Sequence, residues 1–277
     1  WIGRMKPRSS LLIAAGCLAF VAHAPLAVAA VPTIDTAAQT AIVIDFNTGA
    51  ILYDKNANQR IQPASLSKMM TAYVVYSYLK SGRLKLDDTL PVSEKAWAKH
   101  KTNESNMFVP LGAQVKVEDL VRGMMIQSGN DACVVLAEGI AGSTDAFVDL
   151  MNQTAQKLGL KDSHFADVDG LPDPQEYMTA HDIAMLGAHL IRDFPEYYHY
   201  DSEKEFTYNK IKQGNRNPLL YKDIGVDGLK TGHTEEAGYG VAISALRNGR
   251  RIVEALVGMK SMNQRSQEAE KLLDWAY

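Results

Sequence analysis

Tyr239-Gly240-Val241-Ala242-Ile243-Ser244-Ala245-Leu246 and Arg251-Ile252-Val253-Glu254-Ala255-Leu256-Val257 are two β-rich runs joined across Asn248-Gly249. Asn-Gly tolerates the left-handed backbone that a two-residue hairpin turn requires, so the pair predicts adjacent antiparallel strands. A third such run, Val226 to His233, precedes them. At the other end of the chain, Ala41-Ile42-Val43-Ile44-Asp45 and Ala50-Ile51-Leu52-Tyr53-Asp54 flank a turn at Asn47-Thr48-Gly49. Strands near both ends and helices between them predict an α+β fold: an antiparallel sheet of about five strands built from both chain ends, with a mostly helical lobe.

The helical signals are specific. Ser65 to Lys80 is apolar on nearly every side and stops at Ser81-Gly82, the pattern of a buried helix with Ser65 at its start. Val117, Leu120, Val121, Met124 and Met125 recur at amphipathic spacing. Asp131 is placed to cap a helix running to Ala141 and ended by Gly142, and Phe147 to Leu158 marks another, stopped by Gly159. Leu160 to Tyr177 reads as a loop punctuated by Asp169-Gly170 and Pro172-Asp173-Pro174. Thr179-Ala180-His181-Asp182 opens the next helix as a capping box, and a last amphipathic helix begins near Gln264.

Export is legible at the start of the chain. Met5-Lys6-Pro7-Arg8 is basic, Leu11 to Val21 is apolar but too short to span a bilayer, and Ala27-Val28-Ala29 has the small-x-small pattern of a cleavage site. Residues 1–29 are thus expected to be a signal peptide and 30–277 the folded domain. Ala14-Ala15-Gly16-Cys17 is a weaker match to a lipid-attachment site. The signal segment carries Arg4, Lys6 and Arg8 and no acid, so its removal takes the formal charge from −3 to −6. A mildly acidic exported domain is a poor nucleic-acid binder. Only Cys133 remains beyond the signal, so the domain has no internal disulfide and depends on its core.

Three short motifs follow one another: Ser65-Leu66-Ser67-Lys68, Ser128-Gly129-Asn130 and Lys230-Thr231-Gly232. They supply a hydroxyl with an amine three residues on, a second hydroxyl with an amide, and a cation on a strand. That set suffices for acyl transfer without an Asp-His relay. At a helix start, Ser65 has backbone N–H groups and the dipole to favour a developing anion. Lys68 shares its face, and Met69, Met70, Ala72 and Tyr73 provide surroundings that favour a neutral, basic amine. The structural alternatives for the first two motifs are a helix cap with a snorkelling lysine and an ordinary turn between helices. Ser77-Tyr78-Leu79-Lys80 and Ser261-Met262-Asn263 repeat the same patterns. Lys-Thr-Gly occurs once; on a strand, Lys230 and Gly232 share one face and Thr231 shares the other with His233, Gly232 leaving room for a ligand against the backbone.

The combination resembles the serine penicillin-recognising enzymes, in particular the low-molecular-mass penicillin-binding proteins that are D-alanyl-D-alanine carboxypeptidases. The likeness covers about Ala41 to Tyr277 and includes Pro63-Ala64-Ser65-Leu66-Ser67-Lys68-Met69-Met70-Thr71, Gln127-Ser128-Gly129-Asn130-Asp131-Ala132-Cys133 and Val226-Asp227-Gly228-Leu229-Lys230-Thr231-Gly232-His233-Thr234. It implies a β-lactamase/transpeptidase-like fold and a periplasmic enzyme acting on peptidoglycan stem peptides, with β-lactam antibiotics as inhibitors and no cofactor. Ser65 would be the nucleophile, Lys68 its base, and Ser128 the proton relay to the leaving D-alanine. Asn130 would hold the substrate amide, and Lys230, beside Thr231, its carboxylate. The N–H groups of Ser65 and His233 would form the oxyanion hole, with Arg216 and Arg265 near the carboxylate pocket.

The sequence also departs from this family. Asp169-Gly170-Leu171 stands where many relatives carry His-Gly-Leu. The family's second, β-rich domain and amphipathic anchor helix are not in this sequence, which leads to the expectation of a catalytic domain alone, membrane-bound only through such an anchor. No His-Glu-x-x-His pattern calls for a metal. The rival readings are a β-lactamase, which would need a deacylating base not evident in the 160–177 loop, a cross-link-cleaving endopeptidase, and a non-catalytic wall-binding module.

Overall fold

The computed structural model describes residues 1–3 and 33–277. Residues 4–29 of the expected signal peptide therefore lie outside the described residues, and the compact unit Ile34–Tyr277 carries the fold.

The first hairpin is β1 (Thr40–Asp45) and β2 (Ile51–Lys55). A 3-10 turn, Ala64–Ser67, leads into α1 (Lys68–Lys80). The helical lobe continues through β3 (Thr89–Pro91), α2 (Glu94–Ala98), β4 (Gln114–Lys116), α3 (Val117–Ile126), α4 (Asn130–Ala141) and α5 (Thr144–Lys157). After the 160–177 loop come α6 (Ala180–Asp193), the small hairpin β5 (Glu205–Tyr208) and β6 (Ile211–Gly214), the strands β7 (Val226–Thr234), β8 (Gly238–Arg247) and β9 (Arg250–Met259), and α7 (Met262–Ala276).

The expected antiparallel sheet is present, with strands in the order β2-β1-β9-β8-β7. Two strands of widely separated sequence meet at its centre, Ile42 opposite Ala255 and Val43 opposite Glu254. Alternation divides their side chains between two cores. Ile42, Ile44, Val253, Ala255 and Val257 face the helical lobe, whereas Ala41, Val43, Ile252 and Leu256 pack with Leu272 and Leu273 of α7. Burial on both faces explains why these strands read as continuous apolar runs. The Asn248-Gly249 turn has φ of 49° and 78°, the left-handed pair its sequence calls for.

Local details revise three expectations. Ser65 lies on the 3-10 turn, one turn before α1 begins at Lys68. Asp131 is inside α4 and does not cap it; its carboxylate accepts the N–H groups of Met107 (2.9 Å) and Val109 (3.1 Å), fixing the loop ahead of β4. Thr179 does cap α6, accepting the Asp182 N–H at 3.0 Å, but the Asp182 carboxylate turns away to Asp162 and Ser163, so the box is half formed. The β3–β4 pair, the β5–β6 hairpin and the short α2 were not anticipated; each is too brief for periodicity to reveal.

Candidate active site

The three motifs arrive from separate elements: the 3-10 turn, the junction of α3 and α4, and the edge strand β7. Their convergence has a steric basis. A Cβ on Gly232 would stand 3.0 Å from the Pro63 carbonyl oxygen and 3.2 Å from the Leu66 nitrogen. Gly232 therefore lets β7 close on the turn that bears Ser65. The same residue lines the cleft, so this packing stands beside the reading of that glycine as space for a ligand. Gly129 has a similar role: its backbone is ordinary (φ −61°), but a Cβ there would meet the Asp131 carboxylate at 2.9 Å. The left-handed residue of that turn is Ser128 (φ 66°), and Ala64 (φ 51°) holds the same conformation just before Ser65. Non-glycine residues in this region cost roughly 1–3 kcal/mol each, and here the surrounding packing holds both.

A cleft of about 540 Å³ lies along β7, lined by Ser65, Ser128, Asn130, Thr231, Gly232, His233, Arg216 and Arg265, with Glu104 and Tyr239 among its further walls. Lys68 and Lys230 do not line it; they lie beneath. Lys68 is fully buried, its Nζ 2.9 Å from Ser65 Oγ and also bonded to the Asp169 carbonyl. Lys230 is 2% exposed, with Nζ 2.9 Å from Ser128 Oγ and 3.1 Å from the Thr231 carbonyl oxygen. Burial, with the like charges of Lys68 and Arg216, pushes the Lys230 amine well below the usual lysine range. The amine expected to meet a substrate carboxylate is thus shut behind Ser128. It is placed to act through that hydroxyl.

The cations that do reach the cleft are the two arginines. Arg216 sits in a tight turn: Asn215 Oδ1 accepts the Asn217 N–H at 2.9 Å, and Asn217 Oδ1 accepts that of Leu219 at 3.1 Å. Arg265 rises from the first turn of α7, capped by Ser261, with its guanidinium 5.7 Å from the Tyr239 ring centre. Burial lowers both, Arg265 to about 10, and its buried Nε has no hydrogen-bond partner. A pair of desolvated guanidiniums suits a carboxylate. His233 is exposed and stacks on Tyr239, its cross-strand partner, with centroids 3.9 Å apart. Asn130 donates through Nδ2 to Glu104 Oε2 at 2.9 Å.

The 160–177 loop closes the site from the other side. Gly170 has φ 81°, and a Cβ there would be 2.0 Å from the Ala64 carbonyl oxygen, so this loop rests directly on the nucleophile turn. The Asp169 carbonyl serves Lys68, while its carboxylate is buried against Lys99 Nζ at 2.7 Å. The departure from His-Gly-Leu thus leaves the contact with Lys68 in place, because any residue supplies a carbonyl. Beneath it, Asp167 accepts the N–H groups of Gly170 (2.6 Å) and Leu171 (3.0 Å), and Glu176 accepts from Ser67 Oγ. Burial, then the charge of Asp167, pushes Glu176 up to about 8, and burial, then the charge of Asp169, pushes Asp167 up to about 6.

A family model described as D-alanyl-D-alanine carboxypeptidase, peptidase S11, matches residues 26–261. The chain belongs to this family. DacA of Haemophilus influenzae, a D-alanyl-D-alanine carboxypeptidase, is 48% identical over 242 residues, which are 87% of this chain and 62% of that protein. The chain thus spans less than two thirds of that relative. Penicillin binding protein 5 from H. influenzae superposes with a TM-score of 0.86 at 47% identity, over 88% of this chain and 72% of the other. Penicillin-binding protein D2 from Listeria monocytogenes, in its ampicillin-bound form, gives 0.79 at 30% identity, over 88% and 98%. The architecture is that of the penicillin-binding and transpeptidase fold.

Within this carboxypeptidase-family fold the polar members of the duplicate motifs do not line the cleft, although Met262 between Ser261 and Asn263 does. Ser77 Oγ bonds back to the Val74 carbonyl at 2.7 Å and Lys80 reaches the Asp193 carbonyl at 2.6 Å; Ser261 is the α7 cap. Glu104, Asp167 and Glu176 had no signature in the sequence: each is a lone acid in a loop, placed by the fold.

Proposed function

We propose that this chain is a serine-type D-Ala-D-Ala carboxypeptidase that removes the terminal D-alanine of peptidoglycan stem peptides. The observation that carries the reading is the double pairing on one cleft, Lys68 with Ser65 and Lys230 with Ser128, each at 2.9 Å. Lys68 takes the Ser65 proton as Oγ attacks the penultimate carbonyl carbon. The Ser65 and His233 N–H groups hold the oxyanion that forms. Ser128, with Lys230 behind it, passes a proton to the departing D-alanine amine as the peptide bond breaks. Asn130 positions the substrate amide, while Arg216 and Arg265 bind the terminal carboxylate. Water then releases the shortened peptide and regenerates Ser65.

The family match and the complete motif set support this reading. In the 160–177 loop, Glu176 is turned to Ser67 and away from the cleft, which weighs against a β-lactamase that uses it to activate water. A β-lactam mimicking the substrate would acylate Ser65. The basic, apolar and small-residue succession at Met5 to Ala29 supports export, so the proposed location is the periplasm. A pentapeptide ending in D-Ala-D-Ala tests the function. Free D-alanine should appear, penicillin should block it through an adduct on Ser65, and Ser65→Ala should abolish both. Undiminished release from Ser65→Ala would sink the mechanism.

A further inference from the structure

The charges lining the cleft are divided between two regions. Arg216 and Arg265 are close enough for the charge of one to oppose the other. Glu104 acts on a different neighbour, Lys99, and forms no ion pair with any described residue. Asp169, the other carboxylate of the cleft, is neutralised by Lys99 at 2.7 Å. Among the described residues, Glu104 is thus the one negative charge lining the cleft without a cation in contact. Its Oε2 takes the neutral Asn130 amide at 2.9 Å, and this carboxylate has a second oxygen to offer.

A neutral peptide laid across this carboxylate would strip its water and return nothing, whereas an ammonium would replace that water with a charge-assisted hydrogen bond. The carboxylate end of a substrate belongs with the arginines, so the region beside Asn130 receives the acyl side. We infer that Glu104 selects stem peptides whose diamino acid, on the acyl side of the scissile bond, carries a free side-chain ammonium. This deepens the proposed function and rests on it. Peptides whose amine is acylated, as after cross-linking, would then be the poorer substrates. Glu104 would also hold Asn130, through Nδ2, in the orientation that meets the substrate amide.

Two tripeptides decide the matter: Nα-acetyl-L-Lys-D-Ala-D-Ala with its side-chain amine free, and the same peptide acetylated on that amine. Wild-type kcat/KM should favour the free amine by about tenfold, the scale of a hydrogen bond between charged groups. Glu104→Gln should bring the ratio close to one, and Glu104→Lys should invert it. A fall in both rates with the preference retained would assign Glu104 a purely structural hold on Asn130 and overturn the inference. Equal wild-type rates would overturn it alone. Release from neither peptide would remove the proposed function, and this inference with it.

Discussion

The Lys230 amine lies 2.9 Å from Ser128 Oγ and is closed off from the cleft that Ser128 lines. A buried amine whose proton affinity is lowered by burial and by Lys68 and Arg216 can exchange a proton with that hydroxyl more readily than an ordinary lysine. Lys230→Met should therefore lower kcat about 10²–10⁴-fold, the range for a lost general acid-base group, with KM little changed. Steady-state kinetics on a D-Ala-D-Ala peptide check this. A rise in KM at constant kcat would return Lys230 to carboxylate binding.

Arg265 should behave in the opposite way. Its buried Nε has no hydrogen-bond partner, and its guanidinium lines the cleft. Arg265→Gln should raise KM roughly tenfold or more, as expected for a lost hydrogen bond to a charged group, while kcat is largely kept. A substrate amidated at its C-terminus should be insensitive to the change. Equal losses on both substrates would count against carboxylate recognition.

Gly170→Ala should be among the most damaging single-methyl changes in the molecule. The left-handed φ of 81° and the Ala64 carbonyl oxygen 2.0 Å from the new Cβ both oppose it, and neither obstacle is a flexible side chain. The cost should exceed about 1 kcal/mol in stability. Because the loop also carries the carbonyl bound by Lys68, activity should fall with it. Thermal unfolding and penicillin acylation rate measure the two effects, and an unchanged acylation rate would separate the loop from the nucleophile.

Glu176 predicts a pH dependence of stability. Its carboxyl rises from an ordinary 4.5 to about 8 in the folded protein, chiefly through burial. A group that binds its proton more tightly when folded stabilises fully below its unfolded value and loses that contribution as pH rises through the folded one. Stability should thus decline from about pH 4.5 to about pH 8, with Asp167 steepening the lower part of that window. Glu176→Gln, which keeps the shape without the titration, should flatten the profile of Tm against pH. An unaltered slope would place its origin elsewhere.

Sequence alone determined the sheet and most helices, because periodicity, Asn248-Gly249 and the glycine stops are local signals that need no partner. It also determined the members of the site, since Ser65, Lys68, Ser128, Asn130 and Lys230 stand in motifs of fixed spacing. Only the tertiary structure decided what each group faces. Gly232 and Gly129 are small so that backbone can approach backbone, a contact between segments far apart in the chain. Lys230 is a buried partner of Ser128, while Arg216 and Arg265 take the exposed wall. Glu104 and Glu176 acquire their significance only from neighbours brought to them by folding, Asn130 in one case and Ser67 in the other. Burial and charge proximity are properties of the packed molecule, and no spacing along the chain encodes them.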